Sequence, residues 1–213
     1  MPVPQFLYDR GGHTYYSVRA VPWAEVSRRL YDTLDDLEEQ AAELAWHLRD
    51  GRINLQRYEA EMMRLIKRSH LVNSTLAKGG WDQMTPADYG RVGGYVRRQY
   101  EYFRNRVRAI KGGTQPVDGR LENVSRQYVR MARRSFSKTL GEEMALRGYD
   151  QERRVVSKFA DHCRTKQRPG CRDLAALGWR PIGTLPLIGE AQCLGGCRCV
   201  FHYRNSRTKK VLR

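Results

Sequence analysis

The chain has 213 residues, of which 40% are hydrophobic, and carries a net charge of +16 at pH 7. No apolar run reaches the ~20 residues that a membrane-spanning helix needs, and a mean hydropathy of −0.71 leaves a modest core for this length. So large a cationic surplus implies a polyanionic neighbour, either nucleic acid or an acidic protein surface, and says nothing about fold.

Residues 1–21 hold Pro2, Pro4 and a Gly11-Gly12 turn before the strand-like HTYYSVR, and read as an extended N-terminal arm. This start lacks the basic-then-apolar layout of a secretory signal, so the chain is expected to fold in a reducing cytosol. Pro22 then stands at a favoured position for opening a helix. Val26, Leu30, Leu34, Leu37, Ala41, Leu44, Ala45 and Leu48 follow with three- and four-residue spacing. This first helix is acidic, with eight Asp/Glu against three Arg between Pro22 and Asp50. The rest of the chain therefore carries more than the whole positive surplus, and the first helix is expected to face protein while later ones face an anion.

Asp50-Gly51 ends that helix, and Asn54 is placed to cap a second that runs to Gly79-Gly80 through Tyr58, Met62, Leu65 and Ile66. In WDQMTPADYGRVGGYV, Thr85-Pro86 reads as an N-cap followed by proline at the first helical position. Gly90, Gly93 and Gly94 then either loosen this helix start or allow close backbone packing. A third long helix is expected from about Tyr95 to Lys111, and a fourth from about Leu121 to Arg147. A shorter one is expected from Glu152 to Ala160. The helical body thus spans residues 22–160, followed by a cysteine-rich lobe over 161–204 and a basic, mobile tail over 205–213.

Two rows of cations recur at helical spacing. Arg97, Arg98, Arg104, Arg108 and Lys111 lie on the third helix; Arg126, Arg130, Arg133, Arg134 and Lys138 lie on the fourth. With Lys209 and Lys210 of the tail they are the candidate contacts to double-stranded DNA. No base-reading motif accompanies them, so contact to the phosphate backbone without sequence specificity is expected. The bland alternative for either row is a solvated face paired locally with glutamates.

All five cysteines fall in the last quarter of the chain: Cys163, Cys171, Cys193, Cys197 and Cys199. Five thiols in so short a stretch suggest one local cross-link. Four of them, two from each side of a Gly/Pro-rich loop, suit a structural zinc ion. Cys197 and Cys199 would share a face if their segment is extended, and His162 or His202 offers a substitute ligand. Disulfides, or reduced thiols packed as small hydrophobes, stay open beside zinc. His13, His47, His70, His162 and His202 lie in no recognised catalytic frame, and no phosphate-binding loop or nucleophile elbow occurs. Enzymatic activity is not expected.

The succession GRINLQRYEAEM, GGWDQMTPADYGRVGGYVRRQYEYFRNRVRAIKGG and GWRPIGTLPLIGEAQCLGGCRC resembles the minor head, or head morphogenesis, proteins of tailed bacteriophages and prophages. The likeness covers roughly Arg52 to Tyr203, and its most specific part is Cys197-Arg198-Cys199 following the Cys163/Cys171 pair. In the commoner pattern the first two cysteines stand closer and a His-Pro precedes the final pair. Cys193 lies near that histidine position here. The resemblance implies a virion component, assembled in the bacterial cytoplasm beside portal and major capsid proteins and present in several copies. The expected fold is mainly α: an elongated bundle of long helices with a small, zinc-ribbon-like, cysteine-rich lobe. A capsid cement, a head-tail connector and a free zinc-stapled DNA-binding or nuclease-like protein are the alternatives.

Overall fold

The computed structural model of the protein describes residues 7–9, 14–16, 20–21, 23–157, 169–191 and 193–212. Strands β1 (Leu7–Asp9), β2 (Thr14–Tyr16) and β3 (Ala20–Val21) form a small antiparallel sheet in that order. The strand character of the arm thus becomes a meander. Helix α1 spans Trp23–Arg49 and α2 spans Leu55–Lys78. Asn54 caps α2 by accepting from the Arg57 amide, and Gly79 ends it at φ 104°, a left-handed conformation that glycine adopts without a Cβ clash.

Helix α3 runs unbroken from Pro86 to Lys111. A full capping box starts it: Thr85 Oγ1 accepts from the Asp88 amide, and the Asp88 carboxylate accepts from the Thr85 amide. Gly90, Gly93 and Gly94 therefore lie inside the helix, nine residues or fewer from its start, and a Cβ at any of them would meet no other group within 4 Å. The start is tight, and no neighbour within the described chain requires those glycines.

The fourth helix of the sequence reading divides in two. Helix α4 covers Arg120–Arg130 and α5 covers Arg133–Leu146, with the break at Met131-Ala132. The turn lets both halves press on α2, and Ala132 at the bend is fully buried. Helix α2 packs against α1, α3, α4 and α5, while α1 packs chiefly on α4. The core between them is Leu34, Leu37, Ala41, Tyr58, Met62, Ile66, Phe103, Val107, Leu121 and Val129. Being enclosed on most sides, α2 also buries polar groups near its end. Lys78 bridges Glu143 at 2.6 Å and Asp88 at 3.2 Å with all three buried, and Arg91 joins Asp88 to Glu142. Burial alone would raise the Asp88 carboxyl, but bonds from Thr85, Arg91 and Lys78 outweigh it and hold the group well below the carboxylate range.

The helix expected over Glu152–Ala160 is instead strand β4, Gln151–Val155, in its described part. Alternation sends Glu152 and Arg154 inward, two charged residues where an apolar period would have revealed a strand. The inward charges are met by groups from far along the chain, so no local pattern announced them. Helix α6 (Cys171–Ala176) and strands β5 (Arg180–Pro181), β6 (Val200–Arg204) and β7 (Val211–Leu212) complete the lobe. Its sheet has the order β5-β4-β6-β7, wholly antiparallel, with Gln151 opposite Arg204. The tail, expected to be mobile, supplies β7 after a turn that Asn205 Oδ1 closes by accepting from the Arg207 and Thr208 amides. Lobe and body share a second core, in which Ala77, Leu140 and Met144 meet Leu174, Ile188, Phe201 and Tyr203. No described helix is long and apolar enough to cross a membrane.

Candidate metal centre and cationic faces

The lobe folds its cysteines inward. Cys171 opens α6, on a turn fixed by the Gly170 amide donating to Asp173 Oδ2 at 2.8 Å. Cys197 closes the 3-10 turn Leu194–Gly196, and Cys199 immediately precedes β6. Arg198 points outward between them, so the alternation expected of an extended segment holds. The sulfurs of Cys171, Cys197 and Cys199 all lie within 4.8 Å of one another, and all three residues are buried. Cys171 Sγ is 3.8 Å from Cys197 Sγ and 3.7 Å from the half-buried Cys193 Sγ. No disulfide joins these four cysteines to one another. Cys163, the fifth thiol, and His162 lie outside the described residues.

The spacing has a chemical meaning. Four sulfurs at about 2.3 Å from one zinc ion stand about 3.8 Å apart along the edges of a tetrahedron. The Cys171–Cys193 and Cys171–Cys197 distances are compatible with that value, which is also the contact distance of two packed thiols. The electrostatics agree with a shared anionic centre. Hydrogen bonds from Cys171 and then Cys199, with help from the Arg154 charge, push the Cys197 thiol far down. Bonding to the Cys197 sulfur pushes Cys171 up, and bonding to Cys171 does the same to Cys199, so one sulfur ionises at the expense of its neighbours. A divalent cation removes that competition by accepting all of them as thiolates. Cys171, Cys197 and Cys199, close together and buried, could hold a metal ion, and Cys193 stands beside Cys171.

The cations around the centre escaped the sequence reading. Arg154 is 1% exposed, and its Nη1 lies 3.7 Å from both Cys171 Sγ and Cys197 Sγ. Its Nη2 donates to Pro186 O and to Leu187 O. Glu152, its neighbour on the same face, accepts from the Leu185 amide at 3.0 Å. Burial raises the Glu152 carboxyl above its ordinary value. On the outer face of the sheet Arg153 and Arg204 stack on Trp179 at 4.9 and 4.6 Å.

The two cation rows meet different surroundings. On α3, Arg97, Arg98, Arg104, Arg108 and Lys111 are all exposed, and none has a carboxylate partner among the described residues. Helical geometry puts Arg97, Arg104, Arg108 and Lys111 on one face. The second row is largely engaged. Arg130 pairs with Glu38 of α1 at 2.6 Å, Arg134 with Glu190 at 2.5 Å, and Lys138 with Glu142 at 3.4 Å. Arg133 donates to Cys197 O, so the start of α5 holds the metal loop directly. Arg126 is half-buried, and Lys209 and Lys210 are exposed.

One arrangement inside the body has the outline of a catalytic relay. His70 Nε2 donates to Gln99 Oε1, whose amide nitrogen donates to Tyr128 O, and Ser135 Oγ donates to His70 Nδ1 at 2.6 Å. Ser135 is 1% exposed and His70 2%, so no substrate reaches the hydroxyl. The network fastens α2 to α3 and α5, and burial lowers the His70 pKa to about 4. His47 sits 3.4 Å from Glu43 on the surface of α1. No protein-family model matches this chain, and neither a curated protein nor a solved structure is significantly similar to it.

Proposed function

We propose that the protein is a non-enzymatic minor head, or head morphogenesis, protein of a tailed bacteriophage. In this reading it is bound at the portal or inner capsid in several copies, with its α3 face against packaged double-stranded DNA. Support comes from the likeness of its three sequence blocks and, above all, from one observation: the α3 cations are exposed and meet no carboxylate among the described residues. A face of that kind exchanges counterions for phosphates, which needs no base-reading group. On α1 the carboxylates of Asp32, Asp35, Asp36, Glu39 and Glu43 are exposed in turn. Both helices pack on α2 and share no comparable interface with each other. The molecule therefore offers an acidic surface for a protein neighbour and a basic one for the genome.

The cysteine lobe is read as a zinc-ribbon-like clip in which Cys171, Cys193, Cys197 and Cys199 hold the ion. Zinc, when bound there, supplies a tetrahedral cross-link and no redox chemistry.

The test is paired. Binding to a random-sequence duplex, titrated with salt, is expected to be measurable at low ionic strength and to weaken steeply as salt rises. Co-sedimentation with the portal oligomer of the same phage is expected to carry the protein into the bound fraction. Absence of DNA affinity at any salt concentration removes the genome contact and favours a cement or connector. Full recovery in the unbound fraction removes the portal contact.

A further inference from the structure

Arg154 poses a problem of charge. Among the described residues it is the largest fully buried side chain, and an arginine keeps its positive charge in a protein. A buried cation needs a counter-charge, since the low-dielectric interior penalises an isolated one heavily. The carbonyls of Pro186 and Leu187 and the ring of Phe201, 5.3 Å from Cζ, solvate the guanidinium but bring no charge. Among the described residues no carboxylate forms an ion pair with it. Glu152, the nearest candidate, is bonded to the Leu185 amide instead. What Nη1 does face, at equal distances of 3.7 Å, is a pair of sulfurs. If those sulfurs are neutral thiols, Arg154 is an orphaned charge. If they are thiolates around a divalent ion, four sulfurs and one ion leave two negative charges, and Arg154 neutralises one of them.

We propose that Arg154 is the charge-balancing partner of the sulfur centre, stabilising its metal-loaded tetrathiolate form and disfavouring its metal-free form. Arg154 is then a positioning residue and not a ligand. Its other arm fixes the Pro186–Leu187 turn, where the Leu187 amide donates to Glu190, itself paired with Arg134 of α5. Occupation of the centre is thereby relayed to the helical body. The inference rests on the metal-centre part of the proposed function and is independent of any contact with DNA or portal.

The experiment compares the full-length wild type with Arg154→Met and Arg154→Lys under reducing conditions, using cobalt(II) and zinc(II) as probes. Wild type is expected to take up one cobalt ion with the visible bands of tetrahedral thiolate coordination. Competition with a chelator should show Arg154→Met binding roughly 10- to 100-fold more weakly, and Arg154→Lys recovering most of the loss. The decisive reading is thermal unfolding with and without metal. Arg154→Met should lower Tm in the loaded protein but leave it equal or higher in the chelated protein. A drop of the same size in both states overturns the proposal and reduces Arg154 to a clamp on two carbonyls. Should Arg154→Met fail to fold in either state, Arg154→Gln against Arg154→Lys makes the same comparison. A wild type that takes up no metal, or that carries a Cys171–Cys193 cross-link when purified without oxidant, overturns the metal centre itself and this inference with it.

Discussion

The arginines of α3 and those of α4–α5 have the same helical spacing, and in sequence they are two copies of one signal. In the structure they part. The α3 row is exposed and, although Glu101 shares its helix, forms no ion pair among the described residues, whereas Arg130, Arg133 and Arg134 hold Glu38, Cys197 O and Glu190. Spacing decides which side chains share a helix face; what that face meets is decided by elements 50 or more residues away. One row is open to solvent, and in the other Arg133 and Arg134 fasten the body to the cysteine lobe.

That contrast can be broken most directly on α3. Changing Arg97, Arg104, Arg108 and Lys111 together to Gln should weaken duplex binding by roughly 100- to 1,000-fold at low salt and flatten the salt dependence by about 3–4 in log–log slope. Unfolding by urea should stay within about 0.5 kcal/mol of wild type, as expected at exposed positions. Unchanged DNA binding would erase the distinction between the rows. The next largest effect is on pH. His70 joins α3 through Gln99 and α5 through Ser135, and its pKa falls from 6.5 to about 4 on folding. Between those values the unfolded chain binds a proton that the folded chain refuses. Stability is complete above pH 6.5 and declines as the pH drops toward 4, by about 3 kcal/mol. Denaturant titrations across that interval should show the slope, and His70→Gln should remove it.

The engaged row should respond in the opposite sense to the open one. Arg133→Gln with Arg134→Gln is expected to cost about 1–3 kcal/mol of stability, because a part-buried glutamate and a carbonyl lose their donors. Duplex affinity should change several-fold at most. The smallest effect sharpens the picture of α3 itself. Gly93→Ala places a methyl group where nothing lies within 4 Å, so it should stabilise the isolated protein by about 0.5–1 kcal/mol. The same change should weaken portal co-sedimentation only if that face is covered in the assembly.

Much of the body was legible because its signals are local. Asn54, Gly79 and Thr85-Pro86 mark helix ends through bonds to residues three or four positions away, and the structure places those ends where the residues do. The bend at Met131-Ala132 has no glycine or proline to announce it and exists because both halves fit α2. Strand β4 was read as helix because its inward positions hold Glu152 and Arg154, whose partners are the amide of Leu185, the carbonyls of Pro186 and Leu187 and two sulfurs. The gathering of cysteines was visible from their clustering, and Cys171, Cys197 and Cys199 do converge, with Cys193 beside Cys171. Arg154 was hidden, since nothing within a few residues of it hints at sulfur.

The register that sets Gln151 against Arg204 also orders events in time. Helices α1 to α3 close bonds across three or four residues, so they can form while the chain is still being synthesised. Strand β4 leaves the ribosome 53 residues before its partner at Arg204, with only the two-residue β5 to pair with sooner. The helical trunk is therefore expected to form before the lobe, whose cysteines gather only once β6 has paired with β4. Pulse-labelled hydrogen exchange should find α2 and α3 protected first and β4 and β6 together afterwards.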